Sequence, residues 1–155
     1  IRSVLSDTKT KSAVISIGGS LLLYGDKEFT IGIINPNDDT KSMGTLKLSD
    51  VCVSTSGSYE KCFTESGKEY HHILNATTGY PAESDVKSVT VVCSSGLDSD
   101  ALSTVCFLLG YKKSLDILNE YEAQAVFIFD DDTVKVTDGL TDCFELTDNT
   151  FKVIL

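Results

Sequence analysis

Both histidines of this 155-residue chain stand side by side, His71 and His72, inside the run Tyr70-His-His-Ile-Leu-Asn-Ala-Thr-Thr-Gly-Tyr-Pro-Ala82. Imidazole is the side chain whose unperturbed pKa lets it serve as acid, base or neutral ligand near pH 7. The pair is therefore a first candidate for chemistry. Two histidines satisfied by surface or core partners fit the same residues. A second candidate lies in Asp98-Ser-Asp-Ala-Leu-Ser-Thr104. On a helix, Asp100 and Thr104 are four residues apart and project from one face, a carboxylate above a hydroxyl. Hard oxygen donors of this kind suit magnesium, which takes one or two protein oxygens and completes its octahedron with water and substrate phosphates. Asp98 and Asp100 equally suit the first turn of a helix, where acidic side chains cap and favour the positive end.

Other polar clusters are weaker. Gly18-Gly19-Ser20 after an apolar run permits a tight connection or a close backbone approach, but is no dinucleotide fingerprint. Thr55-Ser-Gly-Ser-Tyr-Glu60 gathers hydroxyls and a glycine at a strand end, where backbone donors can meet a phosphate or a ring edge. Asp130-Asp131-Asp132 reads as a solvated hairpin tip. Asn75-Ala76-Thr77 matches an N-glycosylation tripeptide, a pattern frequent by chance.

The elements that must position these groups follow from patterning. Strands are expected at 13–17, 21–24 and 28–34, with turns at Gly25-Asp26 and at 35–39. A strand is expected across 51–55, and another from Lys68 to Leu74, which would send the two histidines to opposite faces. Val86 to Cys93 is β-branched and reads as a buried strand. Asp98 is then expected to cap a helix reaching Leu109, with Gly110 as its terminator, and a second helix covers Lys112 to Tyr121. Strands at 125–129 and 133–137 form a late hairpin, and 151–155 a closing strand. Several hairpins with a helical pair inserted late predict an α+β fold with a largely antiparallel sheet.

Composition bounds the rest. A chain of this length has room for one core, and a single domain over 1–155 is expected. The net charge of −10 repels phosphodiester backbones and anionic membrane surfaces, so a nucleic-acid partner is not expected. No run of about 18 apolar residues spans a membrane, and no leader pattern is present. The chain begins with Ile1, so a segment upstream, with any targeting signal or anchor, is expected to have been removed. Five cysteines without C-x-x-C spacing disfavour a disulfide framework or a zinc site and lean toward a reducing, cytoplasmic setting.

Taken in order, Ile17-Gly-Gly19, Thr55-Ser-Gly-Ser-Tyr-Glu60, Tyr70-His-His-Ile73 with Thr78-Gly-Tyr-Pro81, Ser88-Val-Thr-Val91, Asp100-Ala-Leu-Ser-Thr104 and Leu109-Gly110 resemble the ApbE family of FAD:protein FMN transferases. The resemblance implies an enzyme that uses magnesium to cleave the FAD pyrophosphate. It attaches FMN to a threonine or serine hydroxyl of an acceptor flavoprotein and releases AMP. It further implies Asp100 and Thr104 as magnesium ligands, His72 as the catalytic histidine, and His72, Leu74, Ser56 and Gly57 against the flavin nucleotide. Relatives that hydrolyse FAD to FMN and AMP, or a non-catalytic flavin-binding or interaction module, are the alternative expectations. The family's N-terminal half is expected to be missing, and with it any membrane anchor on the extracytoplasmic side. The chain departs from the usual family pattern at Asn75-Ala76, where Asp-Pro is common, and at Ser20, where Asn is common.

Overall fold

The computed structural model describes residues 1–154, with Lys68 and Glu69 by backbone alone. After a short helix α1 (Arg2–Ser6), the strands run β1 (Ala13–Ile17), β2 (Ser20–Tyr24), β3 (Phe29–Asn35), β4 (Asp38–Leu48), β5 (Cys52–Gly57), β6 (Phe63–Glu65), β7 (Lys68–Tyr70) and β8 (Val86–Cys93). Helices α2 (Gly96–Leu109) and α3 (Tyr111–Glu120) follow. Then come β9 (Gln124–Phe129), β10 (Thr133–Val136), β11 (Phe144–Leu146) and β12 (Lys152–Val153). The expected α+β class is what the chain adopts.

One seven-stranded sheet has the order β1-β2-β5-β8-β9-β10-β12, antiparallel throughout except for the parallel pair of β10 and β12. A three-stranded sheet, β11-β4-β3, and the small hairpin β6-β7 complete the strands. The large sheet is covered on both faces. Helices α2 and α3 pack on one, where Val89, Val91 and Cys93 of β8 meet Leu102, Cys106, Phe107 and Leu118. The three-stranded sheet packs on the other, where Val53 and Val92 meet Ile33, Met43, Leu46 and Leu48. The alternation read along β5 and β8 thus selects between two dry layers rather than between core and water. Residues of β5 are buried on both faces for this reason, Val53 on one side and Ser54 and Ser56 on the other.

Several expectations are corrected. The strand expected over Lys68–Leu74 stops at Tyr70, where β7 pairs only with β6, so neither histidine lies in a strand. Past that point Ile73 is drawn into the helix-side core, and Leu74 makes an isolated bridge to Pro81. Ser95, not Asp98, caps α2: its backbone is extended and its Oγ accepts from the Asp98 amide at 3.3 Å. Strand β4 was not legible, because its outer half is polar and solvent-exposed and only its inner half enters the core. The closing strand is two residues long and parallel to β10, and Leu155 lies outside the described residues. Gly110 ends α2 as expected, at φ 73°, with a Cβ there falling 2.2 Å from Asp85 Oδ1.

Candidate active site

Helix α2 lies across β5 and β2 through hydroxyl groups rather than methyl groups. Ser99 and Ser103, one turn apart on its underside, are buried and sit at 2.9 Å from Ser54 Oγ and Ser56 Oγ respectively. The spacings match because a helix repeats a face every three to four residues and a strand every two. Two residues of the same helix, Asp100 and Thr104, stand beside this seam as the i, i+4 pattern requires. Asp100 is exposed and Thr104 half-buried. Ser20 Oγ donates to Asp100 Oδ1 at 3.0 Å, and Ser54 Oγ donates to Ser20 Oγ at 2.9 Å. Ser56 Oγ lies 3.1 Å from Thr104 Oγ1. The turn that delivers Ser20 is Gly18-Gly19, both at positive φ, a two-residue hairpin loop that only glycine enters without strain.

Of the expected nucleotide contacts, Ser56 and Gly57 are buried at the end of β5. Ser56 is engaged under α2, and a Cβ at Gly57 would lie 2.6 Å from the Tyr59 ring, so the glycine makes room for that ring. Burial and the nearby Glu60 charge push the Tyr59 phenol up to about 12. A pocket of about 480 Å³ beside the start of α2 is lined by Asp100 and Ser20 together with apolar Ile15, Ile17, Leu21 and Leu97.

The histidines divide their roles. His71 is half-buried, edge-on to Phe107 at 5.6 Å, and its Nδ1 is buried with no hydrogen-bond partner. His72 is exposed, and its Nδ1 lies 3.0 Å from the Glu60 carbonyl oxygen. A carbonyl only accepts, so Nδ1 carries the hydrogen and, in the neutral ring, Nε2 keeps its lone pair as an available base. Leu74 is half exposed on the same segment. The loop after it is an Asx turn: Asn75 Oδ1 accepts from the amides of Thr77 and Thr78 at 2.9 and 3.3 Å. The amide of Gly79 returns to the Asn75 carbonyl at 2.8 Å. A side-chain oxygen is all that this turn requires at position 75, and a carboxamide supplies it as a carboxylate would.

The hydroxyl seam was missed in the sequence. Its signal was present, Ser54 and Ser56 at strand spacing against Ser99 and Ser103 at helix spacing, but nothing in either pattern says that the two segments touch.

The sequence profile of the ApbE family matches residues 1–128. The chain belongs to the ApbE family. It is 38% identical over 154 residues to the FAD:protein FMN transferase of Treponema pallidum (strain Nichols), covering 90% of this chain and 42% of that protein. It is 36% identical over 130 residues to the enzyme of the same name from Klebsiella pneumoniae (strain 342), covering 83% and 40%. The fold matches the crystal structure of the ApbE protein from Thermotoga maritima with a TM-score of 0.73 at 31% identity, over 83% of this chain and 43% of that one. The apo flavinyl transferase ApbE of Pseudomonas stutzeri gives 0.71 at 28% identity, over 91% and 46%. This ApbE chain thus spans less than half the length of the relatives it matches. None of its described helices is long and apolar enough to cross a membrane.

The donor set fits magnesium. Asp100 and Thr104 offer hard oxygens, one of them charged, with no thiolate or imidazole between them. Among the described residues no group of three or more His, Cys, Asp or Glu side chains gathers into a cage. A sparse oxygen pair that leaves most positions to water and phosphate is the arrangement magnesium prefers.

Proposed function

We propose that this chain is the metal-bearing portion of a FAD:protein FMN transferase. It takes FAD, keeps the FMN half and joins it through a phosphoester to a threonine or serine hydroxyl of an acceptor protein. The bond formed is from the acceptor oxygen to the FMN phosphorus, and the bond broken is the pyrophosphate link, with AMP leaving. The observation that carries this reading is the placement of Asp100 and Thr104 one turn apart on α2, each tied by a hydroxyl to the strand beneath. When bound there, magnesium neutralises pyrophosphate oxygens and stabilises the leaving AMP.

The chain's own residues do the rest. His72 directs Nε2 outward by fixing Nδ1 on the Glu60 carbonyl, and takes the proton of the acceptor hydroxyl as that oxygen attacks. Leu74 presents an apolar surface to the flavin nucleotide from the same segment. The apolar walls of the pocket beside Asp100 suit a planar aromatic ring. The net charge of −10 on this chain disfavours an anionic pyrophosphate, and a bound cation offsets that repulsion.

The test is to incubate the full-length protein with FAD, magnesium and an acceptor peptide, and to look for a fluorescent flavinylated product. Transfer is expected in the wild type and a loss of at least about a hundredfold in Asp100→Ala. AMP and free FMN without labelled peptide would favour hydrolysis, and FAD binding without AMP would favour a binding module.

A further inference from the structure

The hydroxyls beneath α2 can be oriented by counting hydrogens. Each hydroxyl has one to give, whereas carbonyls and carboxylates only accept. Ser103 Oγ donates to the Asp100 backbone carbonyl at 2.9 Å. In its 2.9 Å contact with Ser56 it is therefore the acceptor, and Ser56 the donor. The single hydrogen of Ser56 is then in use, so in the 3.1 Å contact with Thr104 the threonine must donate. The chain runs Thr104 to Ser56 to Ser103 to the Asp100 carbonyl, with every hydrogen placed.

A second chain ends on the carboxylate, which fixes its direction. Ser54 donates to Ser20, and Ser20 donates to Asp100 Oδ1. Ser99 is left to give its hydrogen either to Ser54 or to the Gly96 carbonyl, at 2.9 and 3.1 Å.

A cation meets a hydroxyl through a lone pair, so a hydrogen directed at the ion would repel it. We propose that Ser56 and Ser20 are positioning residues of the metal site. Ser56 draws the Thr104 hydrogen down into the sheet and leaves the Thr104 lone pairs for magnesium. Ser20 holds one oxygen of Asp100, so that the carboxylate has one orientation toward the ion. Ser56 thereby acts from beneath the site instead of touching the nucleotide, and Ser20 supplies a donor where relatives commonly carry Asn. The proposal rests on the magnesium reading above.

Mn²⁺ titration of the full-length protein by electron paramagnetic resonance, with Mg²⁺ as competitor and thermal unfolding run without metal, tests it. Ser56→Ala is expected to weaken Mn²⁺ binding about tenfold and Ser20→Ala several-fold, each beyond any change in unfolding temperature. Ser56→Thr and Ser20→Asn, which keep a hydroxyl and a donor, are expected to restore binding. Should Ser56→Ala fail to fold, Ser20→Ala on the rim of the seam carries the same test. Wild-type affinity in Ser20→Ala or in a folded Ser56→Ala, with binding lost in Asp100→Ala, overturns the positioning role and leaves the magnesium reading standing. No Mn²⁺ binding by the wild type, or equal binding by wild type and Asp100→Ala, overturns both.

Discussion

At the scale of single residues, the adjacent histidines are chemically identical in sequence and different in place. His71 packs on Phe107, whereas His72 is exposed with its Nδ1 on a backbone carbonyl. Of the two, His72 is the more exposed and the one whose Nδ1 is held by a hydrogen bond. His72→Ala is accordingly expected to lower the flavinylation rate by about 10² to 10⁴ while FAD binding persists, whereas His71→Phe keeps most of the rate. Steady-state kinetics beside FAD titration checks both, and an unchanged rate in His72→Ala would remove the base assignment. The departure at Asn75 proves mild at this scale. The turn uses Oδ1 as an acceptor of two amides, a role in which Asn and Asp are equivalent.

Elements decide how firmly α2 holds Asp100 and Thr104. Its start depends on Ser95, which satisfies the Asp98 amide, and its end on Gly110, whose positive φ is strained for any residue with a Cβ and whose α-carbon faces the Asp85 carboxylate. Ser95→Ala is expected to cost about 1 kcal/mol, measured as a shift in the denaturant midpoint at unchanged slope. The cap was misplaced onto Asp98 in the sequence because both residues suit a first turn. Only the extended backbone of Ser95, two residues past β8, distinguishes them. The buried positions of α2, Ser99, Leu102, Ser103, Cys106 and Phe107, form a single stripe that mixes serine with apolar side chains, while Leu97, Leu108 and Leu109 are exposed, so the amphipathic pattern that normally marks a helix is blurred.

For the whole molecule, a few titrating groups give stability a pH dependence. Asp38 is held down to about 2 by Lys41 and Thr40, and hydrogen bonds lower Asp131 and Asp148 as well: Asp131 through Thr133, Asp148 through the Thr150 amide and hydroxyl. These groups bind protons more readily unfolded than folded, so the stability they contribute is present above the ordinary carboxylate range. It is lost as pH falls through the depressed values. Tyr59 works in the other direction: raised to about 12, it contributes fully below about 10 and loses its contribution as pH climbs toward 12. Unfolding followed against pH is therefore expected to show stability falling below about pH 4 and again above about pH 10. A flat profile between pH 4 and pH 2 would contradict the carboxylate contacts. The sequence by itself determined most strands, both long helices, the α+β class and the four-residue spacing of Asp100 and Thr104, because those follow from local period and turn chemistry. Tertiary structure alone decided that β5 lies under α2, that Ser20 and Ser56 reach Asp100 and Thr104, and that His72 is exposed while His71 is half-buried. Period-two alternation says that neighbours point to opposite faces, but which face a helix covers is set by packing between segments some 80 residues apart.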